Sequence, residues 1–116
     1  MTKDELLARY PKIFAECRTL AVYDGWLTLL DTLCYRLQYD ADHNEFPQVV
    51  AVQVKEKLGG LRFYVRGAND FQHGLIEMAQ DLSFTICDQC GNAGKHVNDR
   101  GYEMTRCPAH VDADRA

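Results

Sequence analysis

The sequence predicts an α+β fold in which helices pack on a small antiparallel β-hairpin and the chain closes in a zinc-ribbon or treble-clef-like module. Three observations predict it. Apolar residues recur at helical spacing in two long segments, hydrophobic alternation of period two runs through residues 48–66, and two ligand pairs, Cys87-x-x-Cys90 and Cys107-x-x-His110, lie near the C-terminus. A chain of 116 residues, 47% apolar and 26% charged, has the size and composition of one globular domain. The expected organisation is a helical layer plus hairpin (47–67) over residues 1–86 and a metal-binding module over 87–116, packed as one unit.

Thr2 and Glu5 have capping-box spacing, and Leu6, Leu7 and Tyr10 supply one stripe of a short helix that ends near Pro11. Lys12 to Tyr23 is less regular. Asp24 is placed to cap a second helix, whose face is drawn by Trp26, Leu27, Leu29, Leu30, Leu33, Cys34 and Leu37. The acidic, polar run from Asp40 to Pro47 predicts a solvated loop. Beyond it, Val50, Val52 and Val54 are expected on one face of a strand with Gln53 and Lys55 on the other. A second strand follows a turn at Lys57–Gly60, its Leu61, Phe63 and Val65 alternating with Arg62, Tyr64 and Arg66. A third helix, capped by Asn69 or Asp70, carries Phe71, Leu75, Met78, Ala79, Leu82 and Ile86 at helical spacing and leads directly into Cys87.

In Cys87-Asp88-Gln89-Cys90-Gly91 the two-residue spacer lets both sulfurs face one ion while glycine permits the tight turn behind them. Cys107 and His110 complete a Cys3His set, which closes a tetrahedral site without an open position and so predicts one structural zinc per chain. Between the pairs, Lys95–Asn98 and Tyr102–Arg106 read as two short strands about an Asp99-Arg100-Gly101 turn. His96 is a replacement ligand that the strand position disfavours, and His43 and His73 read as surface residues. Cys17 and Cys34 lie in apolar surroundings, where a free thiol packs as a small hydrophobe.

Formal net charge is −4 with histidine neutral, and a divalent ion bound by three thiolates makes it one unit more negative, a balance that disfavours phosphate-driven binding. No apolar run approaches the roughly 20 residues that span a bilayer. The acidic Met1-Thr2-Lys3-Asp4-Glu5 start does not read as a signal peptide, so a cytoplasmic location is expected. A His-Asn-His-type nuclease would have to use His96 with Asn98 and Asp99, and a zinc deaminase would need an open zinc position and an upstream His-x-Glu that the chain lacks.

Gly25-Trp26-x-x-Leu29-Leu30-x-x-Leu33-Cys34, Val54-Lys55-Glu56-Lys57-Leu58-Gly59-Gly60-Leu61-Arg62-Phe63-Tyr64, Cys87-x-x-Cys90-Gly91-x-x-Gly94 and Cys107-x-x-His110 together resemble a family of small phage and prophage proteins. The resemblance covers about residues 24–110. It implies a bacterial host cell as the setting, where many small phage proteins bind and disable a host or defence protein, and an inhibitor in the manner of anti-CRISPR proteins is one such expectation. Two functions are therefore expected. The first is a non-enzymatic protein-binding module whose acidic Asp40, Asp42 and Glu45 meet a basic partner surface. The alternative is a nucleic-acid-binding or transcription-modulating module that uses Lys55, Lys57, Arg62, Arg66, Arg100 and Arg106.

Overall fold

The computed structural model describes residues 1–112, so the last four residues of the expected 87–116 module lie outside the described residues. The elements follow in the order α1 (Lys3–Arg9), β1 (Leu20–Ala21), a single 3-10 turn (Asp24–Trp26), α2 (Leu27–His43), β2 (Val50–Lys57), β3 (Gly60–Arg66), α3 (Asp70–Ser83), β4 (Lys95–Asp99) and β5 (Tyr102–Arg106). The architecture is α+β, as its sequence predicts. Strands β1, β2 and β3 form one sheet in that order, β1 parallel and β3 antiparallel to β2, while β4 and β5 pair as a separate hairpin. Trp26, Phe14, Leu6, Ile13, Leu30, Leu37 and Leu61 are fully buried at the centre. Cys17 and Cys34 are free and buried, and burial pushes the Cys34 thiol pKa well above its usual range.

Helix α1 is short, and its entry is fixed by the expected capping box: the Glu5 amide donates to Thr2 Oγ1 and the Thr2 amide to Glu5 Oε1, each at 3.1 Å. The irregular segment after it contributes β1, two residues paired with Val54 and Lys55 of β2. So short a strand leaves no periodicity to read.

Four expectations are corrected. Asp24 does not cap α2; it opens the 3-10 turn, and no side-chain cap forms there. The Gly25 amide instead donates to the Asp88 carbonyl at 2.8 Å, so the entry to α2 is held by the distant Cys87–Cys90 knuckle. The polar run from Asp40 is not all loop, since α2 continues to His43. Asp40 is buried and takes two bonds from the Arg36 guanidinium (3.1 and 2.6 Å) and one from Asn44 Nδ2 (2.6 Å), which satisfies a carboxylate inside the helix.

Val52 does not share a face with Val54. A bulge between Ala51 and Gln53 shifts the register against β3, so Ala51 and Val54 turn inward and Val52 is exposed. The fourth correction concerns α3. Its buried residues are Gln72, Ile76, Ala79 and Ser83, whereas Phe71, Met78 and Leu82 face solvent, and the helix ends at Ser83, four residues before Cys87. The cause lies in the sheet edge. Among the described residues strand β3 has no strand neighbour on its outer side, and α3 covers that side with polar groups: the Leu61 amide donates to Ser83 Oγ and the Phe63 amide to Gln80 Oε1, both at 2.9 Å. Satisfying buried amides rotates the helix away from the apolar face that periodicity suggests.

Candidate metal centre

The ligand cluster is assembled by two tight turns and the hairpin between them. The Cys87 amide donates to the Asn92 carbonyl (2.7 Å) and the Gly91 amide to the Cys87 carbonyl (2.9 Å), curling the chain so that Cys87 and Cys90 project together. Gly91 adopts a φ of 82°, a left-handed conformation that glycine takes at no steric cost. Strands β4 and β5 then carry the chain out and back over a two-residue turn, in which Arg100 and Gly101 both have positive φ, as a type I′ hairpin requires. A second turn, closed by the His110 amide on the Cys107 carbonyl at 3.0 Å, returns the last two ligands.

The three sulfurs and His110 Nδ1 all lie within 4.8 Å of one another. Cys90 Sγ is 3.7 Å from Cys107 Sγ, and His110 Nδ1 is 3.2 Å from Cys107 Sγ and 3.9 Å from Cys87 Sγ. Metal–sulfur bonds of about 2.3 Å in a tetrahedron place sulfurs roughly 3.8 Å apart, so the spacing fits a single ion. Cys87 and Cys107 are buried, His110 is half-buried and Cys90 is exposed. Burial alone would raise the Cys87 thiol pKa, but amide bonds from Cys107, Cys90 and Gln89 lower it to about 6, favouring the thiolate that a metal needs.

Directly behind the cluster, Asp88 and Arg106 form an ion pair at 2.9 Å with side chains 3% and 1% exposed. Burial pushes the Asp88 carboxyl pKa up, and the guanidinium beside it offsets part of that shift. The pair stitches the knuckle to β5, alongside an Asp88 amide bond to the Thr105 carbonyl at 2.9 Å. Two further bonds tie this module to the preceding layer, Thr105 Oγ1 to the Gly59 carbonyl (2.6 Å) and His96 Nε2 with the Leu58 carbonyl (3.0 Å), and Trp26 Nε1 donates to the carbonyl of Ile86, the residue just ahead of the module (2.9 Å).

The structure brings together all four expected ligands and disperses the other expected site residues. Arg106 is removed from the basic set by its burial against Asp88, and Arg66 is engaged by Glu16. Lys55 and Arg62 stand directly opposite on the outer sheet face, with Lys57 two pairs further on, while Arg100 sits apart on the β4–β5 turn. Asp40 is withdrawn from any partner surface by its bonds to Arg36; Asp42 and Glu45 are exposed, Asp42 accepting from Gln38 Nε2 at 2.9 Å. His96 Nε2 is shared between Leu58 and the Glu103 carboxylate (3.2 Å), and the Asn98 side chain caps the Gly101 amide at 3.0 Å. Sequence reasoning missed Gly25, where a Cβ would stand 2.2 Å from the Cys87 carbonyl oxygen, and it missed the Asp88–Arg106 pair. Neither leaves a local pattern to find.

Fold and cluster define a small α+β protein with one potential Cys3His metal centre, and no helix among the described residues is long and apolar enough to cross a membrane. Compared with protein-family models, with curated proteins and with solved structures, the chain matches none.

Proposed function

We propose that this protein is a non-enzymatic, zinc-stabilised module of phage type that acts by binding another protein, as an inhibitor of a bacterial host or defence factor. Zinc suits a set of three thiolates and one imidazole in a tetrahedron, and four protein donors leave the ion no position for substrate. Its part is to fasten the chain.

The observation that carries the binding role is the solvent-facing stripe of Phe71, Met78 and Leu82 on α3, with 58%, 61% and 43% of these residues exposed. Contiguous exposed apolar side chains on one helix are a feature of protein-interaction surfaces. The test is capture from a bacterial lysate with the tagged chain, followed by reconstitution of the complex from purified components. One dominant host protein, bound directly by the wild type and lost with Met78→Glu, is the expected result. Recovery of chaperones alone, or equal recovery by the variant, overturns the reading.

Nucleic-acid binding has one observation in its favour, the Lys55, Lys57 and Arg62 side chains sharing the outer sheet face with Tyr64. That reading requires affinity for DNA or RNA that falls steeply with salt and disappears in Arg62→Glu.

A further inference from the structure

Helix α3 presents Phe71, Leu75, Met78 and Leu82 at intervals of four, three and four residues, which at about 1.5 Å per residue is a stripe roughly 16 Å long. It does not stand alone. Leu29 and Leu33 of α2 form a facing wall, and together the two helices bound an open groove of about 230 Å³. At the far end the Phe71 ring meets the Phe46 ring edge-on at 5.5 Å. The groove exists because α3 turns its polar side to the edge of β3, leaving its apolar side unpaired. A long apolar trough between two helices has the shape that receives a third helix.

Charge selects among the helices that fit. At about 100° per residue, Asp70, Glu77 and Asp81 lie about 60–100° round α3 from Met78, all on the side away from the buried face. All three are exposed, and none makes an ion pair among the described residues. Residues 70–83 contain no lysine or arginine. The cation lining the groove, Arg36, is already engaged by Asp40 at 2.6 Å. The trough is thus apolar along its floor and acidic along its outer rim. A second copy of this chain would bring another acidic rim to it.

Resting on the protein-binding reading, we infer that the α2–α3 groove receives one cationic amphipathic helix of its partner. The apolar side chains of that helix seat on Leu75, Met78 and Leu82, and its Lys or Arg residues face Asp70, Glu77 and Asp81. Met78 suits this role because its flexible thioether adapts to the side chains it meets.

The test uses the full metal-loaded chain and fluorescence anisotropy with a labelled leucine–lysine amphipathic peptide of about 18 residues, long enough to span the stripe. A scrambled peptide of the same composition and a leucine–glutamate counterpart serve as comparisons. The amphipathic lysine peptide is expected to bind at least about 10-fold more tightly than either. Met78→Glu, although it adds negative charge, should weaken binding at least about 10-fold, as should the milder Leu82→Gln to a smaller degree. The Asp70→Asn, Glu77→Gln, Asp81→Asn triple variant should weaken it about 10-fold and flatten its salt dependence. Circular dichroism and metal content identify any variant that fails to fold.

Equal binding of the scrambled peptide, or undiminished binding to Met78→Glu, overturns the inference as unspecific charge attraction. Preference for the glutamate peptide overturns the partner's charge but leaves the protein-binding reading standing. A dimer in sedimentation equilibrium that Met78→Glu dissociates makes a second copy the occupant and overturns it. Absence of all peptide binding also overturns it, whereas the protein-binding reading is judged separately by the reconstituted complex.

Discussion

At the level of single residues, the ligands and the ion pair behind them carry different predictions. Cys90 is the exposed ligand, so replacing it disturbs packing little while removing one of four donors. Purified wild-type protein should contain close to one zinc per chain by elemental analysis; Cys90→Ser should lose most of it and become protease-sensitive after Ile86. Unchanged zinc content would contradict the assignment. Arg106→Met leaves Asp88 buried without its guanidinium, a change that costs about 3–5 kcal/mol when one partner of a buried pair is removed. Urea unfolding measures it. The ligands were legible because their spacing within each pair is local chemistry, with two residues between partners. Arg106 was misread as a surface cation because nothing in Thr105-Arg106-Cys107 announces Asp88, which is 18 positions away in sequence.

At the level of elements, helices and hairpins were read where one physical cause dominates and misread where two compete. Residues 61–66 alternate cleanly because one face packs and the other meets water. In β2 the same rule failed at a bulge, which inserts one residue and transposes every side chain before it. For α3, apolar periodicity competed with the unpaired amides of Leu61 and Phe63, and the amides won because a buried N–H without a partner costs about 1–3 kcal/mol. Gly74 offers a test on this helix. A Cβ there meets nothing within 4 Å, so Gly74→Ala should raise stability by about 0.5–1 kcal/mol through its helix preference. A lower unfolding midpoint would mean the site is not as open as it stands.

Helix α2 supplies a pH prediction. Bonds from the Arg36 guanidinium hold the Asp40 carboxyl below the usual carboxylate range, with Asn44 adding to the effect. A carboxyl whose pKa is depressed on folding adds stability that is complete above its unfolded value of about 3.9 and disappears as pH falls through the lower folded value. Acid unfolding of Asp40→Asn should therefore show a shallower loss between about pH 4 and pH 2. An acid limb identical to wild type would show that the contact contributes nothing to stability.

For the molecule as a whole, the Trp26 indole is fastened to the residue just ahead of the Cys/His module. Trp26 is fully buried and donates to the Ile86 carbonyl, so Trp26→Phe loses a hydrogen bond and some volume at the seam, for about 2 kcal/mol. Differential scanning calorimetry should still give one transition, shifted to lower temperature. The general plan of helices, hairpin and Cys/His tail was legible because each part carries its own periodicity or spacing. The seam was not, because its bonds run from Gly25 to Asp88, Gly59 to Thr105 and Leu58 to His96, pairs that only the folded chain juxtaposes.

The Trp26–Ile86 bond, 60 positions apart in sequence, also sets a timetable for biosynthesis. During translation the residues that anchor the start of α2 leave the ribosome 60 positions after it. A nascent chain therefore holds that helix entry unfinished until Ile86 and Asp88 have emerged. If the Cys3His cluster holds zinc as proposed, metal supply at that step would couple completion of the helix entry to the metal status of the cell.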